Sequence, residues 1–233
     1  MDWSTLGPQL LQATGQTLYM VSVTLVLAGL LGLAVGVGLY VTRRGNILAN
    51  SAVFTVLNLL VNFVRPIPFI ILLAALGQVT EAVVGTRLGP NAAIFAMTIG
   101  ATFAVARIVE QNLMTVDPGV VEAARSMGVS RWKIITTVVL PEALGPLVLG
   151  YTFLVIGITD MSAMAGAIGA GGLGDFALRL GYQRFNDQVT WAAVIVIIIL
   201  VQLVQFFGNW LARKIMRRCP SVPGSTPPPA THA

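Results

Sequence analysis

A chain of 233 residues that is 56% hydrophobic and only 10% charged, with mean hydropathy +0.83, lies far from the roughly 25% charged residues of a soluble domain and belongs in a bilayer. Its net charge of +5, from 14 Lys and Arg against 9 Asp and Glu, fits basic loops on the cytoplasmic side of a membrane and does not point to nucleic acid. The single cysteine, Cys219, and the single histidine, His232, both lie in a polar tail, which excludes an intrachain disulfide, a His- or Cys-ligated metal and hydrolases built on Ser-His or Cys-His pairs.

The opening "MDWSTLGPQLLQ" has no basic n-region and no small-residue cleavage site. No cleaved signal peptide is expected, and residues 1–16 read as an external N-terminal segment. A membrane-crossing helix needs about 20 mostly apolar residues. The first such span is Thr17 to Val41, uncharged, with Gly29, Gly32, Gly36 and Gly38 forming a small-residue stripe for close helix packing. The second, Ala52 to Gly77, is interrupted by Arg65-Pro66-Ile67-Pro68. Its first half predicts an amphipathic helix with Val53, Val56, Leu57, Leu60, Val61 and Val64 on one face and Asn58 and Asn62 beside it. The two prolines then force a kink, because each lacks an N–H and crowds the preceding turn.

Ala92 to Val109 forms the third span, with Arg107 and Glu110 three apart and placed to pair at its inner end. Leu144 to Ile168 forms the fourth and carries Asp160. Val189 to Leu211 forms the fifth. From Pro220 the chain reads "PSVPGSTPPPATHA", so 214–233 is expected to be a disordered tail outside a membrane-spanning unit of 17–213. The predicted fold class is therefore all-α integral membrane with five transmembrane helices. An N-terminus outside puts nine basic residues inside (Arg43, Arg44, Arg125, Arg131, Lys133, Arg213, Lys214, Arg217 and Arg218) against three outside (Arg87, Arg179 and Arg184), which favours N-out, C-in.

The polar loop 117–141 opens with "DPGVVEAARSMGVSRWKI". Asp117 suits an N-cap and Pro118 the first helical position. The helix is expected to run to about Met127, with Gly128 as its left-handed stop and Ser130 capping a second helix that starts at Arg131. Val120, Ala123, Ala124 and Met127 follow the i, i+3, i+4, i+7 pattern, and Glu122 and Arg125 are spaced to pair. A face built on two alanines either settles into a groove on another surface or packs against the chain's own spans. A DNA-reading helix–turn–helix is excluded by location and by too few basic residues.

This segment resembles the EAA loop of ABC-importer membrane subunits, EAA-x3-G-x9-I-x-L-P. Glu122, Ala123, Ala124, Gly128, Leu140 and Pro141 stand at the matching places, with Val138 for Ile as a conservative departure. More widely, "YVTRRGNILAN", "RPIPFIILL", "LPEALGPLV" and "SAMAGAIGAGGLGDFALRLGYQRF" are similar to the methionine-importer permease family, from Thr17 to Arg213. The resemblance implies a type I importer in the bacterial inner membrane. Two copies of the permease form the pore, a cytoplasmic ABC ATPase dimer with ATP-Mg receives the EAA helix in a cleft, and an external substrate-binding (lipo)protein delivers an amino acid. The chain itself has no G-x-x-x-x-G-K-[ST] and only two lysines, Lys133 and Lys214, so it holds no P-loop, and no cofactor of its own is expected.

Gly169, Gly171 and Gly174 satisfy G-x-G-x-x-G, but the preceding segment is an apolar helix rather than a strand, so they read as a tight external turn. Asp160 is the carboxylate placed inside a span, where charge is costly and often functional. It either lines a cavity and meets a solute's amino group or bonds to Thr159, Ser162 or a neighbouring span. The family pattern here is Gly-Tyr-Ser-Ala-Met; Ser162 and Met164 keep it, while Asp160 and Met161 depart from it. Asp160, Met161, Ser162 and Met164 are thus the candidate solute path, with methionine as the implied solute and another small solute as the alternative. Arg65 either snorkels to the inner interface or meets the ATPase. An ATPase-independent secondary transporter would call for an inverted repeat or a chain of intramembrane ionisable groups, and neither is visible.

Overall fold

The computed structural model describes residues 3–216; of the tail expected at 214–233, residues 214–216 instead continue the last helix, which runs to Met216, and 217–233 lie outside the described residues. Among them there are helices and turns but no strand. Helix α1 (Trp3–Thr42) runs for 40 residues, a rise of ~60 Å. It begins well before Thr17, so the N-terminal segment is helical from Trp3 and continuous with the first span. Helices α2 (Ser51–Val64), α3 (Phe69–Ala75) and α4 (Gly77–Val84) follow, then the long α5 (Pro90–Leu113). The polar loop folds as α6 (Pro118–Ser126), α7 (Arg131–Ile134), a π turn (Ile135–Val139) and α8 (Leu140–Glu142). Helix α9 (Leu144–Ala165) leads through a tight turn into α10 (Gly172–Asp175), and α11 (Asp187–Met216) closes the described chain.

Four of these helices are long and apolar enough to cross a membrane, within 4–42, 90–113, 144–170 and 187–216. The expected second span is not a gently kinked rod. Helices α2 and α3 meet at 102°, because Pro66 and Pro68 remove two backbone donors within three residues. The pair is one broken span or a re-entrant loop, which makes the count four, or five if it crosses.

Helix α1 organises the rest through its glycines. A Cβ on Gly36 would stand 2.6 Å from the carbonyl oxygen of Ala106, and one on Gly32 would meet Val105 and lie 2.9 Å from the Thr102 carbonyl. Their absence lets α1 and α5 touch along their backbones. Gly29 faces Tyr151 of α9, whose hydroxyl donates to the Gly29 carbonyl at 2.7 Å, and Gly38 faces Leu57 of α2. The small-residue stripe thus serves three neighbours. Around it lie Met20, Ala28, Met97, Val105, Val109, Leu113 and Ile158. In a bilayer such contacts hold by packing rather than by expulsion of water, so fit decides stability.

Helix α2 packs differently from its sequence pattern. Phe54, Leu57 and Val61 face the core beside Leu39 and Ala106, while Val53, Val56 and Leu60 are exposed. An outward apolar face is the normal condition of a helix whose surroundings are not water. At the other end of the chain, α10 is fastened to α1: Gly172 N–H donates to Gln16 Oε1 and Leu173 N–H to Thr17 Oγ1, both at 2.8 Å. Side chains from a distant helix therefore satisfy donors at the start of α10.

Replacing Gly36 with Val is expected to separate α1 from α5 and to lower stability by about 1–3 kcal/mol, the usual range for overpacking. Thermal unfolding in detergent checks this; Gly15→Ala, where a Cβ meets nothing within 4 Å, should leave the transition unchanged.

Candidate functional site

The polar loop is built as the sequence suggests at both of its stops. Asp117 Oδ1 accepts from the Gly119 N–H at 2.8 Å, with Pro118 at the first helical position. At the far end Gly128 adopts φ +73. Its N–H donates to Arg125 O, and the Val129 N–H donates to Ala124 O. This pair of bonds is the Schellman closure that a left-handed glycine permits. Ser130 occupies the next N-cap position but makes no side-chain capping bond, contrary to expectation.

The apolar face divides. Ala124 is 3% exposed and packs inward with Val121, whereas Val120, Ala123 and Met127 point away from the chain, Met127 at 75%. The two sets are offset by one residue, so α6 is apolar on both an inner and an outer side. Self-packing and docking on another surface are thus compatible: Val121 and Ala124 anchor the helix, and Val120, Ala123 and Met127 form a free apolar strip. The expected Glu122–Arg125 pair is absent among the ion pairs of the described residues. Helical spacing permits such a pair, but an exposed one gains little. Both side chains instead line a recess of about 270 Å³ together with Tyr40 of α1 and with Arg43 and Arg44 in the turn just after it.

Beyond α7 the π turn places Leu140 and Pro141 at the start of α8. Thr137 Oγ1 donates to Lys133 O at 2.6 Å and Thr136 Oγ1 to Trp132 O at 3.1 Å. These hydroxyls occupy carbonyls near the break, where a helix approaching proline loses regular donors.

On α9, Asp160 is exposed, on one stripe with Phe153 and Gly157. The two hydroxyls that could have held it are engaged elsewhere: Thr159 Oγ1 donates to Val155 O and Ser162 Oγ to Thr159 O, both at 2.7 Å. Ser162 is itself buried, while Met161 and Met164 are half-buried. The Met161 methyl lies beside Gly100 of α5, where Leu72 and Phe69 of α3 also converge. The structure therefore brings Asp160, Met161 and Met164 toward one side of α9 and turns the Ser162 hydroxyl inward. A carboxylate facing hydrocarbon costs roughly 2.5–3.5 kcal/mol near a helix centre, so this stripe suits water or a second protein surface better than lipid.

Arg107 does pair with Glu110, Nη1 to Oε2 at 2.6 Å, and Glu110 is 2% exposed. Arg107 Nη2 also donates to Asn58 Oδ1 at 3.0 Å and to Asn62 Oδ1. This network ties α2 to α5 and was not anticipated. Its signal in the sequence was the pair of asparagines four apart in an otherwise apolar helix. Arg65, by contrast, is exposed and its side chain joins no ion pair among the described residues.

Residues 30–218 match the family described as binding-protein-dependent transport system inner membrane component. The chain belongs to this family. It is 41% identical over 218 residues, covering 93% of this chain and 97% of the relative, to the probable D-methionine transport system permease protein MetI of Vibrio cholerae. It is 43% identical over 77% of its length to the methionine import system permease protein MetP of Bacillus subtilis, covering 81% of that relative. Among solved structures, an inward-facing MetNI methionine ABC transporter superimposes with TM-score 0.89 at 40% identity, over 92% of this chain and 99% of that one. The resemblance read from the EAA loop is upheld, and this permease is an inner-membrane transport component.

Arg107→Ala would leave Glu110 buried without its partner. A loss of about 3–5 kcal/mol is expected, as for other broken buried pairs, against about 1 kcal/mol for Asn58→Ala. Denaturation of the purified permease measures both.

Proposed function

We propose that this permease is one of two identical membrane subunits of a methionine importer, driven by ATP that a separate cytoplasmic ATPase dimer hydrolyses. The observation that carries this reading is the near full-length likeness to methionine permeases together with the superposition on a methionine ABC transporter. The chain would bind no nucleotide itself; ATP-Mg would sit on the ATPase. Counting the bent α2–α3 pair as a crossing gives five spans, and the basic residues gathered at the α6 end support N-out, C-in.

In this reading α6 is the coupling helix. Glu122 and Ala123 enter a cleft on the ATPase, with Val120 and Met127 extending the outward strip, while Ala124 holds the helix against the spans. Gly128 closes the helix, and Leu140 and Pro141 carry its movement into α9. ATP binding favours one of two pore states because the closed ATPase dimer binds that state better. An external substrate-binding lipoprotein delivers the solute, which passes the stripe of Asp160, Met161 and Met164, with Ser162 fixing the helix behind it. Asp160, without an ion-pair partner among the described residues and a departure from the family pattern, also favours a second reading, a small solute other than methionine that brings to this carboxylate a positive charge beyond the α-amino group.

Two experiments test the proposal. The tagged permease, coexpressed with its ATPase, should copurify with it and accumulate methionine in vesicles only while ATP lasts; uptake indifferent to ATP depletion would sink the importer reading. A competition panel of amino acids repeated with Asp160→Gly should change in order if Asp160 meets the solute, and an unchanged panel would make it structural.

Gly128→Val should lower methionine taken up per ATP hydrolysed. A Cβ there meets nothing within 4 Å, so the effect is the left-handed backbone itself, and Gly128→Asn should lie nearer to the wild type.

A further inference from the structure

Helix α1 joins two surfaces. Tyr40 at one end, with Arg43 just beyond it, lines the recess against α6, and Gln9, Gln12 and Gln16 at the other line a groove of about 550 Å³. From Gln16 to Tyr40 the helix rises ~36 Å, more than the ~30 Å of a hydrocarbon core, so the groove and α6 lie on opposite sides of the bilayer. The three glutamines share one helical face. Opposite them stand Asp175 and Arg179, paired at 3.1 Å, and Arg184.

Beside this groove the chain makes a short 3-10 turn, Tyr182–Arg184, before α11. Phe185 closes the turn at φ +52, the one non-glycine residue with positive φ among the described residues. Its N–H donates to Tyr182 O at 3.1 Å, and Asn186 N–H donates to Gly181 O at 2.9 Å. The backbone there asks for glycine or asparagine, since a bulky side chain is strained in the left-handed region. Phe185 returns little to the fold: the residue is 94% exposed, and Tyr182 72%. Arg184 makes no ion pair or hydrogen bond among the described residues.

A fold that holds an aromatic ring outward at the expense of its own backbone has a use for the ring elsewhere. Tyr, Phe and an unpaired Arg beside a recess have the composition in which binding energy concentrates at protein interfaces. The recess is polar, lined by amides, a carboxylate and guanidinium groups, which suits a protein surface and not acyl chains. A transport system that depends on a binding protein supplies such a partner on that side of the membrane. We infer that Tyr182, Arg184 and Phe185, with the glutamine-lined groove, form the docking surface for the extracytoplasmic solute-binding protein. The ring enters an apolar pocket of that protein, and Arg184 meets a carboxylate on it. This inference rests on the importer reading above.

The test uses the complete permease–ATPase complex in lipid nanodiscs and the methionine-loaded binding protein of the same cell. Phe185→Gly removes the ring and relieves the left-handed strain, so the complex should be at least as heat-stable as the wild type and still hold its ATPase. Its affinity for the binding protein should fall at least ten-fold, and Arg184→Glu should weaken it as well. Wild-type affinity in both variants would overturn the docking surface. Lower heat stability of Phe185→Gly with unchanged affinity would also overturn it, making the ring a membrane anchor. If the wild-type complex itself neither binds the binding protein nor responds to it, the importer reading fails and takes this inference with it; a responding wild type with equally responsive variants sinks the docking surface alone.

Discussion

The contact of α1 with α5 at Gly32 and Gly36 is the constraint on which the other features depend. Only without Cβ atoms can the first span lie against the carbonyls of Thr102 and Ala106. Helix α5, so placed, presents Gly100 to Met161, offers Arg107, itself paired with Glu110, to the asparagines of α2, and delivers the chain at Leu113 to the polar loop. Helix α1 itself reaches from the glutamine-lined groove to the recess beside α6. A displacement of α6 thereby has a short, densely packed route to α9 and to the opposite face. In a membrane this route is held by shape, because hydrocarbon gives helices no solvent-driven reason to associate.

The two-sided character of α6 links its packing to the coupling role proposed for it. Val121 and Ala124 bury against the spans and fix the helix, and the residues one position away, Val120 and Ala123, stay open. Alanine serves both sides because its small side chain permits close approach in either direction. The Schellman closure at Gly128 then ends the helix sharply enough for α7 to turn back toward the membrane. A longer helix would hold the open strip further from the spans against which Val121 and Ala124 pack.

Features that depend on local chemistry were legible in the sequence. Asp117 and Pro118, Gly128, the glycine stripe and the Arg107–Glu110 spacing each state their structure within a few residues. Other features depend on partners far along the chain. The bonds from α10 to Gln16 and Thr17 cross 156 residues, and Arg107 meets Asn58 across 49. The 102° bend exceeds what two prolines alone announce, since proline permits a break without fixing its angle. The apolar face of α2 divides between core and surroundings because in a bilayer an apolar side chain need not face inward. At the candidate solute path, Asp160 was visible as a charge in a span, while the inward turn of Ser162 follows from a backbone bond that periodicity does not encode.

The central claim is that the open strip of α6 is the handle by which a separate ATPase moves this permease. It is tested most directly by cross-linking in the assembled complex, with Cys219 first replaced by Ser so that a new cysteine is alone. Ala123→Cys should cross-link to the ATPase in a manner that changes with ATP, whereas Val121→Cys, buried against the spans, should not. Absence of a cross-link from Ala123→Cys in a complex that still transports, or equal cross-linking from both positions, would contradict the account.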